Sequence, residues 1–270
     1  MPTRSIFGQT RTGRFRLLAG ALLFACLPAP AAEYVPIPAG TFVSALSSGS
    51  PGNAPVRVAR FAMRATPVTT REFLAFTASH PEWQRSRVPA IFADASYLHQ
   101  FDGSQNPPPT GSERPITSVS WFAAQAFCES EGGRLPTWHE WEYVAAADAG
   151  HADARRDPAW RAKILSWYSE SSGMPPPDVG GAANFYGIRD MHGLIWEWVD
   201  DFNALLVSAD SRNQGDPDRL QFCGAGAISL QDKENYAILM RIALLSALSG
   251  ADTTNNLGFR CARALPMENK

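Results

Sequence analysis

Two carboxylates, Asp190 and Glu197, flank Gly193 in the stretch Asn184-Phe185-Tyr186-Gly187-Ile188-Arg189-Asp190-Met191-His192-Gly193-Leu194-Ile195-Trp196-Glu197-Trp198-Val199. A glycine-punctuated turn carrying one acid runs into a strand-like segment whose other acid lies between two indoles. Alternation with a period of two places Trp196 and Trp198 on one face and Ile195, Glu197 and Val199 on the other. A carboxylate in such company needs a partner. One partner is a hard cation: Asp190 and Glu197 supply charged oxygens, and Gly193 lets carbonyl groups turn inward, a mixture that suits calcium. The other is an Arg or a backbone N–H for Glu197, with Asp190 capping a turn. No standard calcium-loop pattern is present, so spacing alone favours the hydrogen-bonded alternative.

Other reactive groups are sparse. The cysteines are Cys26, Cys128, Cys223 and Cys261. In an oxidising compartment two of the last three are expected to pair. Cys223, in Phe222-Cys223-Gly224-Ala225-Gly226-Ala227, has no His, Lys or Arg beside it in sequence to lower its pKa, and reads as a small buried residue. His99, His139, His151 and His192 lack ligand spacing, which argues against a zinc or iron centre. His139 is expected on a helix surface and His192 in a turn. No Gly-x-Ser-x-Gly elbow is present.

The elements that must position these residues are marked by local signals. Arg4, Arg11, Arg14 and Arg16, the apolar run Leu17–Leu27 and Ala29-Pro30-Ala31-Ala32 read as a secretory signal peptide over residues 1–32, leaving one domain, 33–270. A lipoprotein anchored through Cys26 is the alternative. No other stretch is long and apolar enough to span a membrane, so a soluble periplasmic protein is expected. The 270-residue chain is 45% hydrophobic and 19% charged, globular in composition. Its formal charge of -2 argues against nucleic acid as a partner.

Tyr34–Phe42 and Arg57–Met63 read as strands. Thr69 with Glu72, and Thr137 with Glu140, are capping boxes that open helices over 69–79 and 137–147. Ser120 opens a helix through Glu131 that buries Trp121, Ala124, Phe127 and Cys128 and ends at Gly132-Gly133. Asp157-Pro158-Ala159-Trp160 predicts only a short helical turn. Residues 84–115 and 208–219 read as loops, and Asp232–Leu248 has a helical period of apolar residues with Arg241 as the lone charge in its second half. Leu257–Cys261 reads as a strand.

The 184–199 stretch resembles the signature of the formylglycine-generating enzyme (sulfatase-modifying factor) family. Pro67–Phe73, Val119-Ser120-Trp121, Arg134–Thr137, Glu140–Tyr143 and Asn256–Cys261 agree with it, in the family's order. The resemblance implies an α+β, low-regularity single domain related to C-type lectin folds, with helices packed around a small twisted sheet. It implies a structural calcium held by Asp190 and Glu197 side chains and by the Gly193 and Ile195 carbonyl groups, and a Cys128–Cys261 disulfide. It departs from the family where activity is concerned. The copper-binding cysteines of the family fall near Asp232 and Ala237, and neither is Cys. Thiolates select monovalent copper, so copper and formylglycine generation are not expected. The remaining candidates for catalysis are Asp232, Glu234, Tyr236 and Arg241, the two acids also suiting a helix start. The resemblance therefore implies a periplasmic accessory or maturation factor that binds a partner protein, of the kind serving secretion signalling, denitrification or siderophore maturation. The alternative is an oxidoreductase acting on a small periplasmic metabolite such as a siderophore precursor.

Overall fold

Thr69 and Glu72 form the reciprocal cap that the sequence predicts. The Thr69 hydroxyl oxygen accepts from the Glu72 N–H at 3.2 Å, and the Glu72 carboxylate accepts from the Thr69 N–H at 2.8 Å. They open helix α1 (Thr70–Ser79), which buries Phe73, Leu74 and Phe76. The computed structural model describes residues 1, 32–46, 55–101, 112–170, 175–204 and 236–266. The chain divides into Met1–Ala31 and Ala32–Lys270, and the fold described is that of the second unit.

Helix α2 (Trp121–Ser130) is capped by Ser120 and α3 (Trp138–Ala145) by a second reciprocal box, Thr137 with Glu140. Trp121 is only half-buried, and its indole N–H donates to the Val199 carbonyl at 2.9 Å. Ala123 takes its place on the buried face, with Ala124, Phe127 and Cys128. Helix α4 (Pro158–Glu170) runs through thirteen residues where only a short turn is predicted. Pro158 sits in its first turn, where a missing N–H costs nothing, and Asp157 accepts from the Ala159 N–H at 2.8 Å. Helix α5 (Tyr236–Ser246) occupies the core of the 232–248 segment.

The strands are β1 (Tyr34–Ile37), β2 (Gly40–Phe42), β3 (Val56–Val58), β4 (Phe61–Arg64), β5 (Trp196–Glu197), β6 (Leu257–Gly258) and β7 (Ala262–Ala264). Among the described residues they form three small sheets instead of the single sheet expected. These are the antiparallel β1–β4–β7, the hairpin-like β2–β3 and the parallel pair β5–β6. The strand predicted over Leu257–Cys261 therefore ends at Gly258. A Cβ there would stand 2.1 Å from the Ile116 carbonyl oxygen and 2.8 Å from Ile195 Cδ1, so the backbones meet because the residue is glycine.

The core between these pieces is aromatic. Phe73, Phe76, Phe127 and Phe259 pack with ring centroids 5.4–6.0 Å apart. Beside them Cys128 of α2 and Cys261 are joined by a disulfide, with an S–S distance of 2.02 Å, across a sequence separation of 133.

Candidate functional site

The parallel pairing of β5 with β6 sets Glu197 opposite Gly258 and brings Arg260 inward, so the acid and the base meet although they are far apart in sequence. Both are fully buried. The Arg260 guanidinium donates to Glu197 Oε2 at 2.9 Å and to Oε1 at 2.7 Å, a two-pronged ion pair. Trp141 of α3 adds its indole N–H to Glu197 Oε2 at 2.8 Å. Arg260 further donates to the carbonyl oxygens of Arg189 and Asp190 at 3.0 and 3.3 Å. One guanidinium thus ties the 189–190 backbone to β5.

A second guanidinium enters from α5. Arg241, 2% exposed, lies 3.5 Å above the centroid of the Trp141 ring and donates to the Glu197 carbonyl oxygen. Stacking of a guanidinium on an indole face is favourable and grows stronger away from water. His192 completes the cluster. Its ring lies edge-on between Trp141 and Trp160, at 5.8 and 5.5 Å, and its Nε2–H donates to the Ala145 carbonyl at 2.8 Å. Loss of water around the ring pushes the imidazole pKa down to about 4, and the nearby Arg241 and Arg260 charges push the same way. His192 is therefore neutral at pH 7 and acts as a packed hydrogen-bond donor, where the sequence suggests only a turn residue.

Asp190 sits apart from Glu197 in its bonding. It adopts the left-handed conformation, φ 59°, and its carboxylate accepts from the N–H groups of Gly180 and Gly181 at 2.7 and 3.0 Å. Gly193 also has positive φ, 93°, and the Ile195 side chain is buried against Gly258. The side-chain oxygens of Asp190 and Glu197, expected to hold calcium with the Gly193 and Ile195 carbonyl groups, are engaged here by donors of the protein itself. The carboxylate oxygens face N–H donors, and two guanidinium groups share the pocket of one carboxylate. A divalent cation does not fit that donor set, because it would have to displace cations already placed there. Among the described residues no three His, Cys, Asp or Glu side chains gather as a metal site.

Arg241, the catalytic candidate on α5, is buried against the Trp141 ring and bonded to the Glu197 carbonyl oxygen. Asp232 and Glu234 lie outside the described residues, as do Cys26 and Cys223, and the Tyr236 side chain is not described. His139 is half-buried on α3 against Phe42, where desolvation lowers its pKa. The Cys128–Cys261 pairing implied by the resemblance is present. Sequence reasoning missed Trp141 and Arg260 as the partners of Glu197. It also missed Glu142, a buried carboxylate that accepts from the Ser44 hydroxyl, the Ala45 N–H and the Trp138 indole at 2.5, 2.6 and 2.9 Å. The available signal was the spacing from Trp138 to Glu142, which puts both on one helix face.

Comparison with known proteins adds the lineage. Residues 23–265 match the sulfatase-modifying factor enzyme 1-like domain. The formylglycine-generating enzyme of Bos taurus is 28% identical over 87% of this chain and 75% of that protein. The inactive C-alpha-formylglycine-generating enzyme 2 of Bos taurus is also 28% identical, over 56% of this chain and 50% of its own length. The crystal structure of CarF superposes on 87% of this chain and 99% of its own with a TM-score of 0.50 at 17% identity, a likeness of fold. A relative named for the activity and one named inactive are equally similar, so identity does not select between them. With its matched length, its shared architecture and no cysteine pair at the copper-binding positions, this chain belongs to the sulfatase-modifying factor enzyme 1-like domain family.

Proposed function

We propose that the chain is a non-catalytic accessory or maturation factor of the periplasm, acting by binding a partner protein. The observation that carries this reading is the cysteine inventory. Cys128 and Cys261 are consumed in a disulfide, and Cys26 lies in the separate N-terminal unit. That leaves Cys223 as a lone thiol, whereas two thiolates are needed to hold copper in the family's manner. A rigid scaffold that presents long loops suits recognition without chemistry. The periplasmic setting rests on the signal-like leader, and the disulfide fits an oxidising compartment.

The rival reading, an oxidoreductase acting on a small metabolite, needs Asp232, Glu234, Tyr236 and Arg241 to converge on a pocket. Arg241 is buried on Trp141 and bonded to the Glu197 carbonyl, which removes it from such a set. The direct test incubates the purified chain with copper and a Cys-containing sulfatase peptide and follows the peptide by mass spectrometry. Unchanged peptide is expected, and conversion to formylglycine would overturn the non-catalytic reading. In parallel, the tagged chain expressed in its own host is crosslinked in the periplasm. A single reproducible protein partner, retained when small metabolites are dialysed away, is the expected result; recovery of a bound metabolite and no protein would reverse the order of the two readings.

A further inference from the structure

The 190–197 loop is surrounded by positive charge that the protein itself provides. Arg260 covers both carboxylate oxygens of Glu197 and reaches the carbonyl oxygens of Arg189 and Asp190. Arg241 approaches from α5 and takes the Glu197 carbonyl oxygen, held flat on the Trp141 ring. Carboxylate and carbonyl oxygens are the same classes of ligand that a hard divalent cation draws on. Here they are distributed between two guanidinium groups anchored on different segments.

We propose that Arg241, together with Arg260, is the resident cation of the 190–197 loop, so that the loop is ordered by α5 and not by a divalent ion. Two features support this assignment. First, Arg260 donates to both carboxylate oxygens of Glu197 and Arg241 donates to its carbonyl oxygen, so the oxygens of that residue already face guanidinium groups. A dication reaching those oxygens has to displace these guanidinium groups. Second, arginine keeps its charge at any pH a protein tolerates, and its planar head matches both the carboxylate and the indole face. The ordering is then independent of chelators.

The test uses the full chain, stripped with EDTA and melted in calcium chloride or in magnesium chloride at equal ionic strength. The expected result is the same Tm in both, with no calcium retained on elemental analysis. If calcium bound at this loop, a concentration about 100-fold above its Kd would raise Tm by about 5–10 °C, and a rise of that size would overturn the proposal. Amide hydrogen exchange on Arg241→Met then isolates the residue's role. Residues 189–199 should lose protection selectively while the β1–β4–β7 sheet keeps its own. Unchanged protection of 189–199 would also overturn the proposal. Should Arg241→Met fail to fold, Arg241→Gln, which keeps a neutral donor for the Glu197 carbonyl, carries the same comparison.

Discussion

Replacing Glu197 by Gln is the sharpest test of the buried cluster. The substitution preserves shape and removes one charge. In the wild type, Glu197 accepts three hydrogen bonds, two from Arg260 and one from the Trp141 indole, at 2.7–2.9 Å. A carboxamide has one acceptor oxygen, so its NH2 group must point at a donor whichever way it is turned. Arg260 is left as a buried cation that has lost the charge of Glu197 and one of its two prongs, keeping the carboxamide oxygen and carbonyl groups at 3.0 Å and beyond. Breaking one side of a buried pair typically costs about 3–5 kcal/mol. For a domain of this size that lowers Tm by roughly 6–20 °C. Urea unfolding followed by tryptophan fluorescence measures it directly, and Glu113→Gln is the control. Glu113 pairs with Arg71 at 2.7 Å, but both side chains are 40–46% exposed, so its loss should cost less than about 1 kcal/mol. A Glu197→Gln protein as stable as the Glu113→Gln control would refute the assignment of Glu197 to a closed ion pair. A double cycle with Arg260→Met should show strong coupling, because losing both charges strands neither of them.

Other consequences can be checked with the same assay. Because His192 has a folded pKa of about 4, below the ordinary imidazole value, its neutral form is favoured by the fold. That contribution is complete above about pH 6.5 and is lost as pH falls through the interval down to about 4; His192→Gln should flatten that limb of the stability profile. Gly258→Ala drives a methyl group into the Ile116 carbonyl and should destabilise by about 3 kcal/mol or more, read as a drop in the urea midpoint. Replacing Cys128 and Cys261 together by Ala opens a loop spanning a sequence separation of 133. The chain-entropy estimate for that loop is about 5 kcal/mol, so a loss below about 1 kcal/mol would show that the staple does not act through the unfolded chain.

The parts of this fold that a sequence discloses are those whose causes are local. Thr69 with Glu72 and Thr137 with Glu140 are three residues apart, and both caps form as their spacing predicts. The partners of Glu197 are non-local: Trp141 and Arg260 come from α3 and from the chain after β6. Nothing in the 184–199 stretch distinguishes a carboxylate awaiting an ion from one awaiting an arginine. The two-residue alternation also misleads here, since Ile195, Trp196, Glu197, Trp198 and Val199 are all buried. A face rule presumes one side in water, and this strand has none. His192 lies in the turn expected of it, but its packing was not legible for a related reason: that turn is covered by Trp160 of α4, a helix for which the sequence shows little beyond a starting proline.

Helix α5 bears on why the scaffold persists without the family's thiols. Among its described side chains Ile238, Arg241, Ile242 and Leu245 are buried, spaced three and four apart along one face. Position 237, where one of the family's copper-binding cysteines would fall, lies in the first turn of this helix, whose inner face is committed to packing. Its one inward charge is bonded to the strand that carries Glu197. Moving α5 would unstack Arg241 from Trp141 and uncover the Glu197 carbonyl oxygen. On the proposal that Arg241 and Arg260 are the resident cations, α5 would act in this chain as a clamp on the 190–197 loop.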